Sequence, residues 1–143
     1  MMKALKSVLL AASLLVSSTA FADEVSDARV AAERWMKLMD AEEYSAAWNT
    51  GAENMRKDMP KLVWNMLSST VHAPLGQFKS RTFKSADSGT ASAGKPASVT
   101  LEYVADYQNS HKVSEKFTAI READGVWRVS GYTLNSDNVS AVK

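Results

Sequence analysis

The chain lacks cysteine altogether and has only three prolines and two histidines among its 143 residues. Without cysteine there is no disulfide framework, no thiolate ligand and no lipid-anchored N-terminus. Basic and acidic side chains nearly balance at 17 against 16, so no charge excess attracts nucleic acid. Phosphate loops, dinucleotide fingerprints and serine nucleophile elbows are also missing. These absences exclude the commonest cofactor-dependent and nucleophilic enzymes, and we predict no cofactor.

The first 22 residues have the layout of a cleavable secretory signal peptide. Lys3 and Lys6 precede an apolar run, and Ala20 and Ala22 supply small residues at the cleavage subsites. The run is roughly 10 to 12 residues, whereas a membrane-spanning helix needs about 20. We therefore predict cleavage after Ala22 and a periplasmic protein with no membrane span after cleavage, with secretion as the alternative. Residues 23–143 then form one domain of 121 residues whose charge is about −1, since two lysines are removed.

Helical spacing of apolar residues dominates the first half of this domain. Residues 26–40 predict an amphipathic helix, and residues 44–50 predict a shorter one that Gly51 interrupts or closes. A third helix is predicted to begin near Pro60, with Asp58 or Met59 at its cap, and to stop before Pro74.

The second half alternates with the period of a strand. Residues 97–107, 111–122 and 126–134 predict three strands, and residues 77–85 a weaker first one, followed by a loop over 86–96. The Asp124-Gly125 pair between the last two strands is a strong hairpin signal. Helices followed by antiparallel strands predict an α+β fold.

Several short motifs also occur in a characteristic order. They are Trp35, the segment 44–48, Trp64 ten residues before Pro74-Leu75-Gly76, Arg81, Tyr103 and the closing Trp127-Arg128-Val129-Ser130-Gly131-Tyr132. In this order they resemble the exported bacterial family catalogued as domain of unknown function 4019. The resemblance implies a cystatin-like, or nuclear-transport-factor-2-like, cone, in which N-terminal helices lie in the mouth of a curved four-stranded antiparallel sheet. It implies an exported location and no particular activity.

Such a cone offers a cleft between helices and sheet, and seven aromatic side chains are our candidates to line it. They are Trp35, Trp48, Trp64, Tyr103, Tyr107, Trp127 and Tyr132. The tryptophans equally suit a core that pins helices to the sheet.

A catalytic use of the cleft would need a carboxylate base and a tyrosine as oxyanion donor, as in ketosteroid isomerase-like enzymes. Asp40 and Asp106 are the candidate bases. Alternation places Asp106 opposite Tyr103 and Tyr107, and Asp40 has the position of a solvated turn acid. We therefore predict no catalytic residue.

Metal sites are not predicted either. His72 and His111 are not spaced as a ligand pair, and we interpret His111 as a solvated turn residue and His72 as one that caps or follows the third helix. Methionine is a soft ligand for Cu(I), but the methionines lie where helices turn apolar faces inward, and packing is the ordinary role there. They are Met36, Met39, Met55, Met59 and Met66.

Three basic residues among polar neighbours, Lys79, Arg81 and Lys84, suggest a solvated strand edge. The leading functional hypothesis is a non-catalytic periplasmic domain that binds a small ligand or an envelope protein, with a homodimer left open. The alternatives are an isomerase or hydrolase that uses the same cleft, and a structural or stress-related envelope protein with no small-molecule site.

Overall fold

A computed structural model describes the backbone of residues 5–136 and the side chains of residues 22–136. The helices are α1 (Leu5–Asp40), α2 (Tyr44–Thr50), α3 (Glu53–Asp58) and α4 (Lys61–His72), followed by a 3-10 turn over Ala73–Leu75. The strands are β1 (Phe78–Gly89), β2 (Ser98–Tyr107), β3 (Ser110–Arg121) and β4 (Trp127–Asn135). Each strand pairs antiparallel with the next, in the order β1-β2-β3-β4. The α+β prediction is confirmed.

The core lies between α1 and the concave face of the sheet. The apolar face of α1 is buried against strand residues that alternate inward, since helical spacing brings one side of α1 to the sheet. Its buried side chains are Ala28, Ala32, Trp35, Met36 and Met39. Those they meet include Val99, Leu101, Phe117, Ala119 and Val129.

Helix ends follow the predicted signals in most places. Gly51 follows α2 directly, and α4 ends at His72, two residues before Pro74. The short helix α3 was not predicted, and α4 is capped by Pro60 rather than by Asp58 or Met59. The entry to α3 is fixed by a long-range contact, because the amide of Ala52 donates to the carbonyl oxygen of Val129 at 2.8 Å.

Strand β1 continues to Gly89, so the predicted loop at 86–96 begins too early. Residues 86–89 have little intrinsic strand preference, but they pair in register with residues 98–101 of β2, and this pairing decides their structure. The predicted hairpin between β3 and β4 is confirmed. Gly125 takes a φ of 81°, a left-handed conformation that favours glycine.

Two irregularities change which side chains reach the concave face. Lys79 has no partner in the β1–β2 register, and Ser130 has none in the β3–β4 register. An extra residue in one strand reverses the alternation beyond it. Arg81 therefore joins Phe78 on the inner face of β1, and Tyr132 joins Val129 on the inner face of β4.

No helix in the described part of the chain is long and apolar enough to cross a membrane.

Candidate functional site

Glu115 is the most deeply buried carboxylate among the described residues, at 2% exposure. Strand alternation places it there, because Val113, Glu115 and Phe117 share the inner face of β3 while Ser114 and Lys116 face outward. A buried carboxylate must be compensated by hydrogen bonds and opposite charge. The side chains around Glu115 supply both.

Arg81 provides the opposite charge. Its Nε donates to Glu115 Oε1 at 2.6 Å, and its two terminal nitrogens donate to the carboxylate oxygens of Asp40 at 2.8 and 2.9 Å. Burial alone would lower the pKa of Arg81, but the hydrogen bonds to Asp40 and Glu115 outweigh it and raise that pKa. The guanidinium therefore links the C-terminus of α1 to the middle of β3 through strand β1.

Two tyrosines complete the shell around Glu115. The hydroxyl of Tyr107 donates to Oε2 at 2.6 Å, and that of Tyr132 donates to the same oxygen at 3.1 Å. Burial and then the negative charge of Glu115 raise the pKa of both phenols. Both oxygens of Glu115 are thus occupied by donors.

His72, at the end of α4, extends this arrangement towards the surface. Its Nδ1 donates to the carbonyl oxygen of Ser68 at 2.9 Å, and its Nε2 lies 3.1 Å from the hydroxyl of Tyr132. A carbonyl only accepts, so Nδ1 carries a proton, and in a neutral imidazole Nε2 must accept from Tyr132. The single hydroxyl proton of Tyr132 therefore has two competing acceptors, His72 and Glu115.

We call these six residues the buried network: Asp40, His72, Arg81, Tyr107, Glu115 and Tyr132. With both carboxylates ionised and His72 neutral, its formal charge is −1, since one guanidinium faces two carboxylates.

Two of the clefts that reach the buried network lie one on each side of His72. The apolar cleft, of about 300 Å³, runs between α4 and the end of β4. It is lined by Met59, Trp64, Leu67, Ser68, Val71, His72, Tyr132, Thr133 and Leu134. The acidic cleft, of about 410 Å³, lies at the end of α1 and is more polar. It is lined by Met39, Asp40, Ala41, Glu42, Tyr44, His72, Gly76, Gln77, Phe78 and Tyr107.

The family follows from a comparison that covers most of the chain. A family model described as protein of unknown function (DUF4019) matches residues 31–132. The chain belongs to this family. The match spans the buried network from Asp40 to Tyr132, so the network lies wholly inside the DUF4019 region. No curated protein matches the chain.

Solved structures confirm the cone-shaped, nuclear-transport-factor-2-like fold of this DUF4019 domain. A protein from Catenulispora acidiphila is similar with a TM-score of 0.58 at 11% identity, over 87% of this chain and 99% of that one. A C. acidiphila structure in complex with S-DNPA is also similar, with a TM-score of 0.58 at 11% identity, over 85% of this chain and 99% of that one. Aln2 from a Streptomyces species gives a TM-score of 0.54 at 13% identity, over 84% and 95%.

The seven aromatic candidates occupy different places in the DUF4019 domain. Tyr107 and Tyr132 meet at Glu115, and Trp64 and Tyr132 line the apolar cleft. Tyr103 is buried and donates to Glu33 of α1 at 3.0 Å, and burial followed by this bond raises its pKa. Trp127 lines a separate cleft with residues of α1.

Three tryptophans hold the helices together through their indole nitrogens. Trp35 donates to the carbonyl oxygen of Ala47, Trp48 to that of Met59 and Trp64 to that of Tyr44, each at 2.8 Å. Each bond joins two segments that are more than ten residues apart. These bonds join helical segments to one another, whereas the predicted pinning of helices to the sheet is seen for Trp35, whose ring contacts Phe117 and Tyr132.

The interpretation of Asp40 as a solvated acid is wrong, because its side chain is 15% exposed and paired with Arg81. Asp106 does lie opposite Tyr103 and Tyr107, on the outer face, where it accepts from the amide of Lys112. His111 is 79% exposed, as expected for a turn residue.

The predicted solvated edge is wrong for Arg81, whose side chain is 11% exposed. Lys79 and Lys84 are exposed. Sequence reasoning also missed Glu115, although alternation with Val113 and Phe117 was signal enough to place it inside. No sequence pattern predicts that Arg81 faces inward, because its orientation depends on the irregularity at Lys79 in the β1–β2 register.

Of the five methionines considered, Met36, Met39 and Met55 are buried and Met59 is half-buried. Met66 alone is largely exposed, at 64%. In the described region, no group of three or more histidine, aspartate or glutamate side chains could hold a metal ion.

Proposed function

We propose that this DUF4019 domain is a non-catalytic binding domain that takes a small, mostly apolar ligand in the apolar cleft. The observation that carries this proposal is the cleft itself. Its walls are mainly apolar, its volume of about 300 Å³ suits a compact organic molecule, and His72 and Tyr132 offer hydrogen bonds at one side. The related fold of the C. acidiphila protein, solved with S-DNPA bound, supports a small organic ligand.

A titration with a neutral apolar fluorophore, N-phenyl-1-naphthylamine, tests this proposal. Val71→Trp fills the cleft wall and should weaken binding at least about tenfold, which corresponds to ~1.4 kcal/mol. The matched control is Val30→Trp, because Val30 is 53% exposed on α1 and lines neither cleft. The control should bind like the original protein. Absence of saturable binding, or equal affinity of both variants, would overturn the proposal.

An enzyme is the second candidate, because a buried carboxylate lies beside two tyrosine hydroxyls. Against it, Arg81 occupies one oxygen of Glu115 and the two tyrosines occupy the other, so no lone acceptor faces a substrate. We expect no acceleration of hydrogen–deuterium exchange next to the carbonyl of cyclohexanone. An acceleration that Glu115→Gln abolishes in a folded variant would support the enzyme instead.

We also propose that the domain acts after export to the periplasm, with residues 1–22 removed. The core supports this, since Ala22 and Asp23 are exposed and, among the side chains of residues 22–136, Val25 is the first one packed on the core. Cleavage after Ala22 would spare that core. Expression in a bacterial host should yield periplasmic protein whose N-terminal residue is Asp23. Cytoplasmic protein that keeps Met1 would contradict it.

A further inference from the structure

Helix α4 buries an unusual set of side chains. Its buried side chains are Trp64, Ser68 and His72, two of which are polar. Four of its large apolar side chains are exposed, whereas an amphipathic helix normally turns such side chains towards the core. The exposed ones are Leu62 at 71%, Met66 at 64%, Leu67 at 47% and Val63 at 43%. We call these four residues the α4 ridge.

The α4 ridge carries no charge. Between Leu62 and Val71 the polar residues are Asn65, Ser68, Ser69 and Thr70, and the nearest charge before this segment along the chain is Lys61 at the helix start. In a two-fold symmetric contact each patch meets its own copy, so any charge near the axis would face a like charge. The ridge therefore meets the electrostatic requirement for pairing with itself.

A recess adjoins the ridge on the same surface. Leu67 belongs to the ridge and also lines the apolar cleft, and Val71 and Leu134 continue that cleft inward. Val63 precedes Leu67 by one helical turn and Leu62 precedes Met66 by one turn, so the ridge has two adjacent rows, and the row of Val63 and Leu67 borders the cleft. A protrusion beside a recess of the same polarity is self-complementary across a two-fold axis.

We propose that two copies of this chain associate through the α4 ridge, the ridge of each copy covering the open side of the other's apolar cleft. The outer face of the sheet is less suited, because it presents charged residues such as Glu102 and Lys116. The ridge is short, and two copies would bury on the order of 1,000 Å², near the lower limit of specific interfaces. The dimer is therefore weak and forms at micromolar concentration.

Sedimentation velocity of the purified chain without ligand tests this proposal independently of ligand binding. Between about 1 μM and about 300 μM the weight-average sedimentation coefficient should rise from the monomer towards the dimer value. Met66→Glu should weaken association at least tenfold, since two carboxylates then face each other. Val30→Glu is the matched control, because Val30 is exposed on α1 outside the ridge, and it should associate like the original chain.

Mixing two variants of opposite charge distinguishes the loss of a contact between copies from misfolding of the variant. Met66→Lys alone should also stay monomeric, whereas an equimolar mixture of Met66→Glu and Met66→Lys should associate again, because opposite charges then meet. A chain that remains monomeric over the whole range overturns the proposal. So does Met66→Glu that dimerises as strongly as the original chain.

Discussion

Two ion pairs in the same sheet differ in almost every physical respect. Glu115 and Lys116 are neighbours on β3 and point to opposite faces. On the inner face the side chain of Glu115 is 0% exposed and bonds Arg81 at 2.6 Å. On the outer face the side chain of Lys116 is 54% exposed and lies 3.4 Å from Glu102. A step of one residue separates a buried charge from a solvated one.

The difference shows what burial demands of a charge. Glu102 receives one hydroxyl donor, from Ser85, besides its lysine, and water can reach the rest of its side chain. Glu115 has three protein donors from three different strands, because no water replaces them. The inner pair and its partners therefore link α1, β1, β2, β3 and β4, whereas an exposed pair such as the outer one contributes about 0 to 1 kcal/mol.

Glu115→Gln should produce the largest loss of stability. It keeps the side-chain shape, and Asp40 still pairs with Arg81, but all three donors around Glu115 lose a charged acceptor. Since one hydrogen bond to a charged group contributes about 1.5 to 3 kcal/mol, the total loss should exceed that of any single bond. Urea denaturation followed by tryptophan fluorescence measures this free energy of unfolding. The matched change Glu102→Gln on the outer face should cost less than about 1 kcal/mol. Equal losses of stability in the two variants would show that the inner and outer ion pairs do not differ in their contribution.

Tyr107→Phe should have the next largest effect. The 2.6 Å hydrogen bond to Glu115 is its only polar contact there, and a bond to a charged group contributes about 1.5 to 3 kcal/mol. Tyr132→Phe removes a longer bond at 3.1 Å and should cost less. Urea denaturation ranks the two variants, and a greater loss in Tyr132→Phe would contradict this ranking.

The sequence predicts which side chains face the inside of the sheet better than it predicts how those side chains interact. Alternation in β2 correctly orients Tyr103 and Tyr107 against Asp106, because β2 keeps its alternation there and the extra residues opposite it lie in β1 and β3. The same alternation rule places Glu115 correctly. It fails for Arg81 and Tyr132, because their orientation depends on the extra residues Lys79 and Ser130. These irregularities result from the pairing of neighbouring strands.

The helical part has a similar limit. Periodicity locates α1, α2 and α4, but it also predicts that α4 buries its apolar side, and the structure buries Ser68 and His72 instead. The reason is tertiary, since His72 bonds Tyr132 across the cleft. A local pattern contains no information about a partner sixty residues away.

Alkaline pH should loosen the inner face before the outer one. Burial, and then Glu42, raise the pKa of Tyr44 to about 12, and the buried phenols Tyr107 and Tyr132 are also raised. An unfolded tyrosine has a pKa of about 10, so the folded state favours the neutral phenol. Stability should be full below pH 10 and fall as pH rises towards 12.

Phenolate absorbance and circular dichroism, recorded together during a pH titration, measure this effect. Ionisation of the buried phenols should coincide with loss of structure. Tyr44→Phe should retain stability better as pH rises between 10 and 12, because one group with a raised pKa has been removed. A phenol that ionises near pH 10 in the intact fold would mean that water reaches the inner face.

Lys116→Gln should have the smallest effect of all. Its ammonium is half-exposed, and exposed pairs contribute about 0 to 1 kcal/mol. Any loss should vanish as salt is raised, because the Debye length falls to about 3 Å at 1 M ionic strength. The loss in Glu115→Gln should persist in the same salt, since ions do not enter the space around Arg81 and Glu115. Urea denaturation at low and high salt therefore distinguishes the two pairs, because the loss of stability should depend on salt only for the outer pair. A salt-sensitive loss in Glu115→Gln would show that solvent reaches Glu115.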